Sequence, residues 1–376
     1  MQILALFLLA CGGDADDSGE PDSSSEGIAA LGGGSNDLAR VQVTVIATDA
    51  DGLDVPRDLE FDPAVPGLLW IVNQDDDSVT LVFDADTDAR STDHIIDPYA
   101  LHFMEEVSSL SMGAPGTFGT CQESRNTYND EYQANDFMGP TLWSTDLEIF
   151  GQSNPSAVDY LTDQYGFPVD LGSHLDMQHE TPQCMGIAWE VDNAYWVFDG
   201  SEGAIERVDF HEDHGAGFDD HSDGETATYV EGQVDRVEGV PSHLVYDHDS
   251  ALLYIADSGN GRIAVLDTTT GTQGEDRRVI EPGTEYYYMD DASLWTLVDG
   301  AEAGFSTPSG LALHEGVLYV TDHDAGAVLA FDLEGKLLDR LDLGVEGLMG
   351  IEVRGPDDLW LAVGGEDQVI RLQPAG

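Results

Sequence analysis

The sequence has almost no positive charge. Lysine and arginine total 13 in 376 residues, against 74 aspartates and glutamates, and the formal net charge is −61. Lys336 is the only lysine. A surface of that sign repels the phosphates of DNA and RNA and anionic lipid headgroups, so nucleic-acid recognition is excluded. The same field attracts cations. It also burdens the folded state with self-repulsion unless salt screens it, which points to a saline setting, a divalent-cation load or both. Membrane-spanning runs are missing: the apolar stretch Ile3 to Ala10 is too short to cross a bilayer. There is no G-x-S-x-G elbow and no glycine-rich loop opening a helix, so a serine-hydrolase nucleophile and a phosphate cradle of that kind are both unsupported. No organic cofactor is expected. Cysteine is scarce, at Cys11, Cys121 and Cys184.

What the chain does have is glycine, 42 residues of it, and short apolar runs at close spacing. That combination reads as all-β.

The N-terminus runs MQILALFLLACGGDADDSGE. Its Leu8-Leu9-Ala10-Cys11 resembles the lipobox of a bacterial lipoprotein signal. The resemblance implies that residues 1–11 are signal and lipobox and that Cys11 is acylated as the first mature residue. Residues 12–38 are then a flexible acidic tether, too poor in apolar side chains to bury a core. Gly12 after the cysteine implies the outer membrane in that pattern. No Lys or Arg precedes the apolar run, which departs from it, and an ordinary hydrophobic leader is the alternative. The expected location is the cell envelope, with the lipid anchor as the only membrane contact. In an exported chain Cys121 and Cys184 read as one disulfide, with two separate buried thiols as the alternative.

Residues 39–376 are repetitive. The clearest unit is VPSHLVYDHDSALLYIADSGNGRIAVLDTTTG, residues 240–271. It reads as strand, turn, strand, glycine turn, strand. The grammar recurs at 184–210, 307–336 and 348–373, more loosely at 55–84, and in a degenerate form at 107–123. The Pro-x-Gly/His opening, the Leu-Tyr-Ile-Ala-Asp second strand and the Ser-Gly-Asn-Gly-Arg turn resemble NHL-type repeats. That resemblance implies a β-propeller of four-stranded blades around a central channel. The lead residues of the repeats are Asp58, Ser109, Gly186, His243, Gly310 and Gly350, giving six blades. The strand Val41 to Thr48 would complete the last blade and close the ring. Seven blades is the alternative, because 123–180 is long enough to hide another unit.

Propeller topology puts the lead residues, the inter-blade connections and the second-to-third-strand turns at one face. Asp58, His102, Arg125, His179, His243 and His323 are therefore the candidates for a site at the channel mouth. His243, His179, His323 and His102 would ligate a transition metal, zinc or iron, and Arg125 would hold an anionic group. Peptidyl-hydroxyglycine lyases, which share this scaffold, hold zinc with histidines from separate blades; here only His243 occupies a lead position. A second candidate is HEDHGAGFDDHSDGE, residues 211–225, where Asp219, His221 and Asp223 resemble a clipped calcium loop lacking its twelfth-position glutamate. The expected function is a monomeric, exported binding scaffold for a small molecule, peptide or protein, with structural metal ions. A metal-dependent lyase or hydrolase at the channel mouth is the alternative.

Overall fold

The computed structural model describes residues 27–125, 137–277 and 283–376. Cys11, the lipobox and most of the acidic tether lie outside the described residues. The rest forms six antiparallel blades. The strand β1 (Val41–Ala47) comes first in the chain; blade 1 is β2 (Pro56–Phe61), β3 (Leu69–Asn73), β4 (Ser78–Phe83) and β5 (Ser91–Ile96). Blade 2 is β6 (Val107–Met112), β7 (Thr117–Gln122), β8 (Thr141–Ser144) and β9 (Asp176–Met177). Blade 3 is β10 (Cys184–Val191), β11 (Ala194–Asp199), β12 (Ala204–Asp209) and β13 (Glu225–Tyr229). Blade 4 begins β14 (Leu244–Asp247), β15 (Leu252–Asp257) and β16 (Arg262–Asp267). A hairpin, β17 (Thr272–Asp276) and β18 (Glu285–Asp290), intervenes before its fourth strand, β19 (Ser293–Asp299). Blade 5 is β20 (Pro308–His314), β21 (Val317–Asp322), β22 (Ala327–Asp332) and β23 (Leu337–Asp342). Blade 6 is β24 (Leu348–Gly355), β25 (Asp358–Val363) and β26 (Gln368–Pro374).

Blade 6 takes its fourth strand from the other end of the chain. β1 pairs antiparallel with β26, from Val41 opposite Pro374 to Ala47 opposite Val369. The inner strands then pack in order, β2, β6, β10, β14, β20, β24 and back to β2. Closure removes the open sheet edges that such a fold would otherwise expose around the ring.

The seven-blade alternative falls because 123–180 is spent on blade 2. It supplies β8 and β9, separated by the helix α1 (Pro155–Tyr165), which Asn154 caps by accepting the Ser156 N–H. The second long insertion, 271–306, is also absorbed into sheet. Its hairpin docks β18 in parallel on β13, so blade 3 becomes six-stranded.

The repeat grammar has a backbone cause. The residue just before the third strand adopts a left-handed conformation in five blades. It is Gly203, Gly261 or Gly326 in blades 3 to 5, with φ of 62°, 61° and 58°, and Asp77 or Asp367 in blades 1 and 6, with φ of 55° and 52°. Glycine takes that conformation without a steric cost, and aspartate is among the residues that tolerate it best. In blade 2 the insertion replaces this tight turn, and Pro140 precedes β8.

The apolar core is divided among the seams between blades. Trp70 and Trp143 sit in the seam of blades 1 and 2, Trp196 between blades 3 and 4, and Trp360 between blades 6 and 1, all essentially inaccessible. Along most inner strands burial decreases, although β6 stays buried throughout. In β2, Pro56 to Leu59 are buried and Glu60 and Phe61 half-buried; in β14 only Leu244 is buried. Ser108, Ser109, Ser242 and Ser309, at the lead end, are fully buried. The channel is thus closed at the lead end and opens at the opposite one.

Candidate functional site

Inner strands crowd each other at the lead positions, and glycine is what permits it. A Cβ on Gly186 would lie 2.0 Å from the Ser242 carbonyl oxygen, and one on Gly350 would lie 2.8 Å from the Asp58 Cα. His243 fits because its side chain reaches across the channel to the inner strands of blades 2 and 1. Its Nε2 lies 3.3 Å from the Ser108 carbonyl oxygen, which can only accept, so Nε2 carries the proton. Nδ1 then presents a lone pair to Asp58 Oδ1 at 3.5 Å. Burial pushes the His243 pKa down to about 3, against a smaller opposing pull from its Ser108 bond. Burial pushes the Asp58 carboxyl well up. The pair is therefore a neutral imidazole beside a carboxyl whose ionisation burial disfavours.

Asp58 and Glu60 solve a local backbone problem. The channel-side edge of β6 has N–H groups with no strand beside them. Asp58 Oδ2 accepts from Leu110 N–H at 3.1 Å and Glu60 Oε2 from Met112 N–H at 2.7 Å. Glu352 occupies the equivalent position to Glu60 in blade 6 and has no hydrogen-bond partner among the described residues. Burial pushes the Glu60 pKa up to about 7. Burial, and then the Glu60 charge, push Glu352 up to about 8, with Arg354 opposing. Both reach a cavity of about 230 Å³, which Asp58 and His243 also line; the inner-strand residues Leu110, Ile187, Leu311 and Ile351 border it too, but they belong to the core clusters between blades, and the surface the cavity presents is mainly polar.

Neither Glu60 nor Glu352 was among the residues singled out from sequence. A signal existed: PRDLEF and MGIEVRG each place Glu two residues after the lead position. Only ring closure, which sets blade 6 beside blade 1, makes those two glutamates neighbours.

The other candidates go elsewhere. His323 lies in the β21–β22 turn, with Nδ1 2.9 Å from Asp324 Oδ1. Arg125 is half-buried at the edge of the described residues. Its neighbour Glu123 instead plugs the closed end of the channel. Glu123 Oε2 meets the buried Arg57 Nη2 at 2.5 Å, and Oε1 meets Arg236 Nη1 and Gly239 N–H, each at 2.8 Å. His102 and His179 join His174 and His221 in the seam of blades 2 and 3. His179 stacks on Phe137 at 4.0 Å and His174 on Phe103 at 3.5 Å; the His221 ring is 5.5 Å from that of His174 and 5.4 Å from that of His179. The structure therefore gathers four histidines, but not around His243.

The calcium-type triplet is divided among different partners. Asp219 accepts from the Tyr165 hydroxyl, His221 Nδ1 lies 2.9 Å from Asp176 Oδ1, and Asp223 Oδ1 lies 3.2 Å from His214 Nε2. Among the described residues, the one group of three metal-ligand types with donor atoms within 4.8 Å of one another is Asp176, His214 and Asp223. Cys121 of β7 and Cys184 of β10 form a disulfide with Cα atoms 5.1 Å apart, tying blade 2 to blade 3.

No described protein family matches the chain, and no curated protein matches it. Solved structures do. An auxiliary nutrient-binding protein from Bacteroides ovatus is 14% identical with a TM-score of 0.52, covering 90% of this chain and 77% of its own. A luciferin-regenerating enzyme is 13% identical with a TM-score of 0.53, covering 89% of this chain and 96% of its own. A calcium-binding regucalcin from Agrobacterium tumefaciens is 12% identical with a TM-score of 0.50, covering 88% and 92%. At such identities the likeness is one of fold. The chain is a six-bladed β-propeller. Propellers of this shape serve binding and catalysis alike, so the residues of the channel must carry the functional argument.

Proposed function

We propose that this propeller is an exported, lipid-anchored binding protein whose channel captures a small organic cation. One observation carries the reading: Glu352, without a hydrogen-bond partner for its carboxyl among the described residues, shares a cavity of about 230 Å³ with Glu60; burial raises both carboxyls, to about 7 for Glu60 and about 8 for Glu352, and the Glu60 charge adds to the shift at Glu352. Two acids in that state gain a partner when an ammonium enters, and each can then ionise. A hard metal ion is less well served. Calcium needs about six to eight oxygen ligands, whereas the carboxyls that line this cavity are those of Asp58, Glu60 and Glu352, and Asp58 and Glu60 already accept backbone N–H groups. A small ammonium needs only the few acceptors that Glu60 and Glu352 offer in a cavity of this size. The net charge of −61 draws cations toward the molecule. The binding role is supported by a fold shared with nutrient-binding proteins, and export by the Cys121–Cys184 disulfide, a bond that persists in oxidising compartments.

Titration calorimetry with a series of short alkylammonium ions and the matching alcohols tests this. The wild-type chain should bind the amines and not the alcohols, and Glu352→Gln should weaken amine binding by at least about tenfold, roughly the share of one charge-assisted hydrogen bond. Equal binding of amine and alcohol, or an unaltered affinity in Glu352→Gln, would contradict the proposal.

A further inference from the structure

The seam between blades 2 and 3 holds a second cluster, unconnected with the channel. The β12–β13 loop, residues 210–224, leaves blade 3 and lies across the outer strand β9 of blade 2. Gly217 N–H donates to the His174 carbonyl oxygen at 2.8 Å, and Asn154 Nδ2 to that of Ala216 at 2.7 Å. Asp176, in β9, is fully buried beneath the loop. Its Oδ1 is occupied: Met177 N–H donates to it at 2.6 Å and His221 Nδ1 lies at 2.9 Å. Its Oδ2 is buried and has no hydrogen-bond partner. A carboxylate left half-compensated in a protein interior is costly, and a cation is its natural complement.

The surroundings are those of a metal centre. The donor atoms of Asp176, His214 and Asp223 lie within 4.8 Å of one another. His214 Nε2 and Asp223 Oδ1 are 3.2 Å apart, close to the roughly 3.3 Å that separates two ligands of a tetrahedral ion bonded at about 2.0 Å. His221 holds Asp176 from behind, as an outer hydrogen-bond partner orients a ligand. The adjoining His174 is fully buried with Nδ1 committed to the Leu171 carbonyl at 2.9 Å, and its Nε2 is buried without a partner. That leaves one more neutral nitrogen in the same seam.

We infer that Asp176, His214 and Asp223 form a zinc-class metal site that clips the blade 3 loop onto the outer strand of blade 2. The donor set decides the metal class. An imidazole with two carboxylates suits zinc and its neighbours in the first transition row, whereas calcium would find too few oxygens. Asp223 and His214 reach the surface, so the ion can enter without unfolding the seam.

The test uses chelator-treated full-length protein and zinc chloride alone. One equivalent of zinc should bind, raise the melting temperature, and on replacement by cobalt give the visible absorption of a four-coordinate site. His214→Ala, at the surface, should abolish that binding while leaving the folded circular dichroism unchanged. His221→Ala should weaken it by about 10- to 100-fold through the misplaced Asp176. Glu352→Gln should leave it untouched, which separates this site from the channel. Failure to bind one equivalent, or equal zinc affinity in the wild type and His214→Ala, would overturn the inference.

Discussion

At the scale of single residues, the protein's chemistry rests on carboxyls kept from ionising. An ordinary glutamate loses its proton near pH 4.5, but Glu60 keeps it to about 7 and Glu352 to about 8. The folded chain therefore binds more protons than the unfolded chain between those limits, and stability falls as pH rises through that window. The groups that set the window are Glu60 and Glu352, with Arg354 opposing at Glu352; Asp58 is shifted in the same direction by burial. Glu352→Gln removes one of the titrating groups. Its urea midpoint should drop less than the wild-type midpoint between pH 5 and pH 8. Parallel loss in the two proteins would show that Glu352 ionises normally. His243, which stands out in the sequence as the one imidazole among glycine, serine and aspartate lead residues, is a hydrogen-bonded wall of the cavity. Its Nε2 is committed to Ser108, while His102, His174, His179 and His221 gather elsewhere and His323 lies in the β21–β22 turn.

At the scale of elements, the strand β1 carries the largest consequence for its length. It supplies the fourth strand of blade 6, and removing it exposes the edge of β26 along six register pairs. A chain truncated before residue 50 should melt at a lower temperature and associate as its concentration rises, because an unpaired strand edge is a template for another chain. An unchanged melting temperature and a monodisperse monomer would contradict that role. Closure by Val41–Thr48 was legible in the sequence because the last repeat lacks a strand and an orphan strand precedes the first. Blade 2 was legible only in its first half. The turn that marks the other blades, a left-handed glycine or aspartate before the third strand, is replaced there by an insertion, so β8 and β9 carry no repeat signature. The disulfide was legible because two cysteines fell in adjacent blades. The histidine grouping was not, because it depends on how the β12–β13 loop folds across a neighbouring blade, and no local spacing encodes that packing.

At the scale of the whole molecule, a ring of blades produces one closed end and one open end. The buried Arg57–Glu123–Arg236 network and the serine ring seal the lead face, where the inter-blade connections run. The cavity opens at the other face, so loops at the connection side do not reach it. That is why sequence reasoning, which placed the site among those loops, found His243 and Asp58 but missed Glu60 and Glu352. In the function proposed here the acidity of the whole chain and the acids of the channel act in one direction: a long-range field would gather cations and a short-range pair of carboxyls would retain one. The decisive measurement is the proton count on binding. Calorimetry of an alkylammonium ion at pH 7.5, in buffers of different ionisation enthalpy, should report net release of protons from Glu60 and Glu352, and the release should shrink in Glu352→Gln. Binding with no proton exchange would contradict the account, since the two carboxyls would already be ionised or would lie outside the binding site.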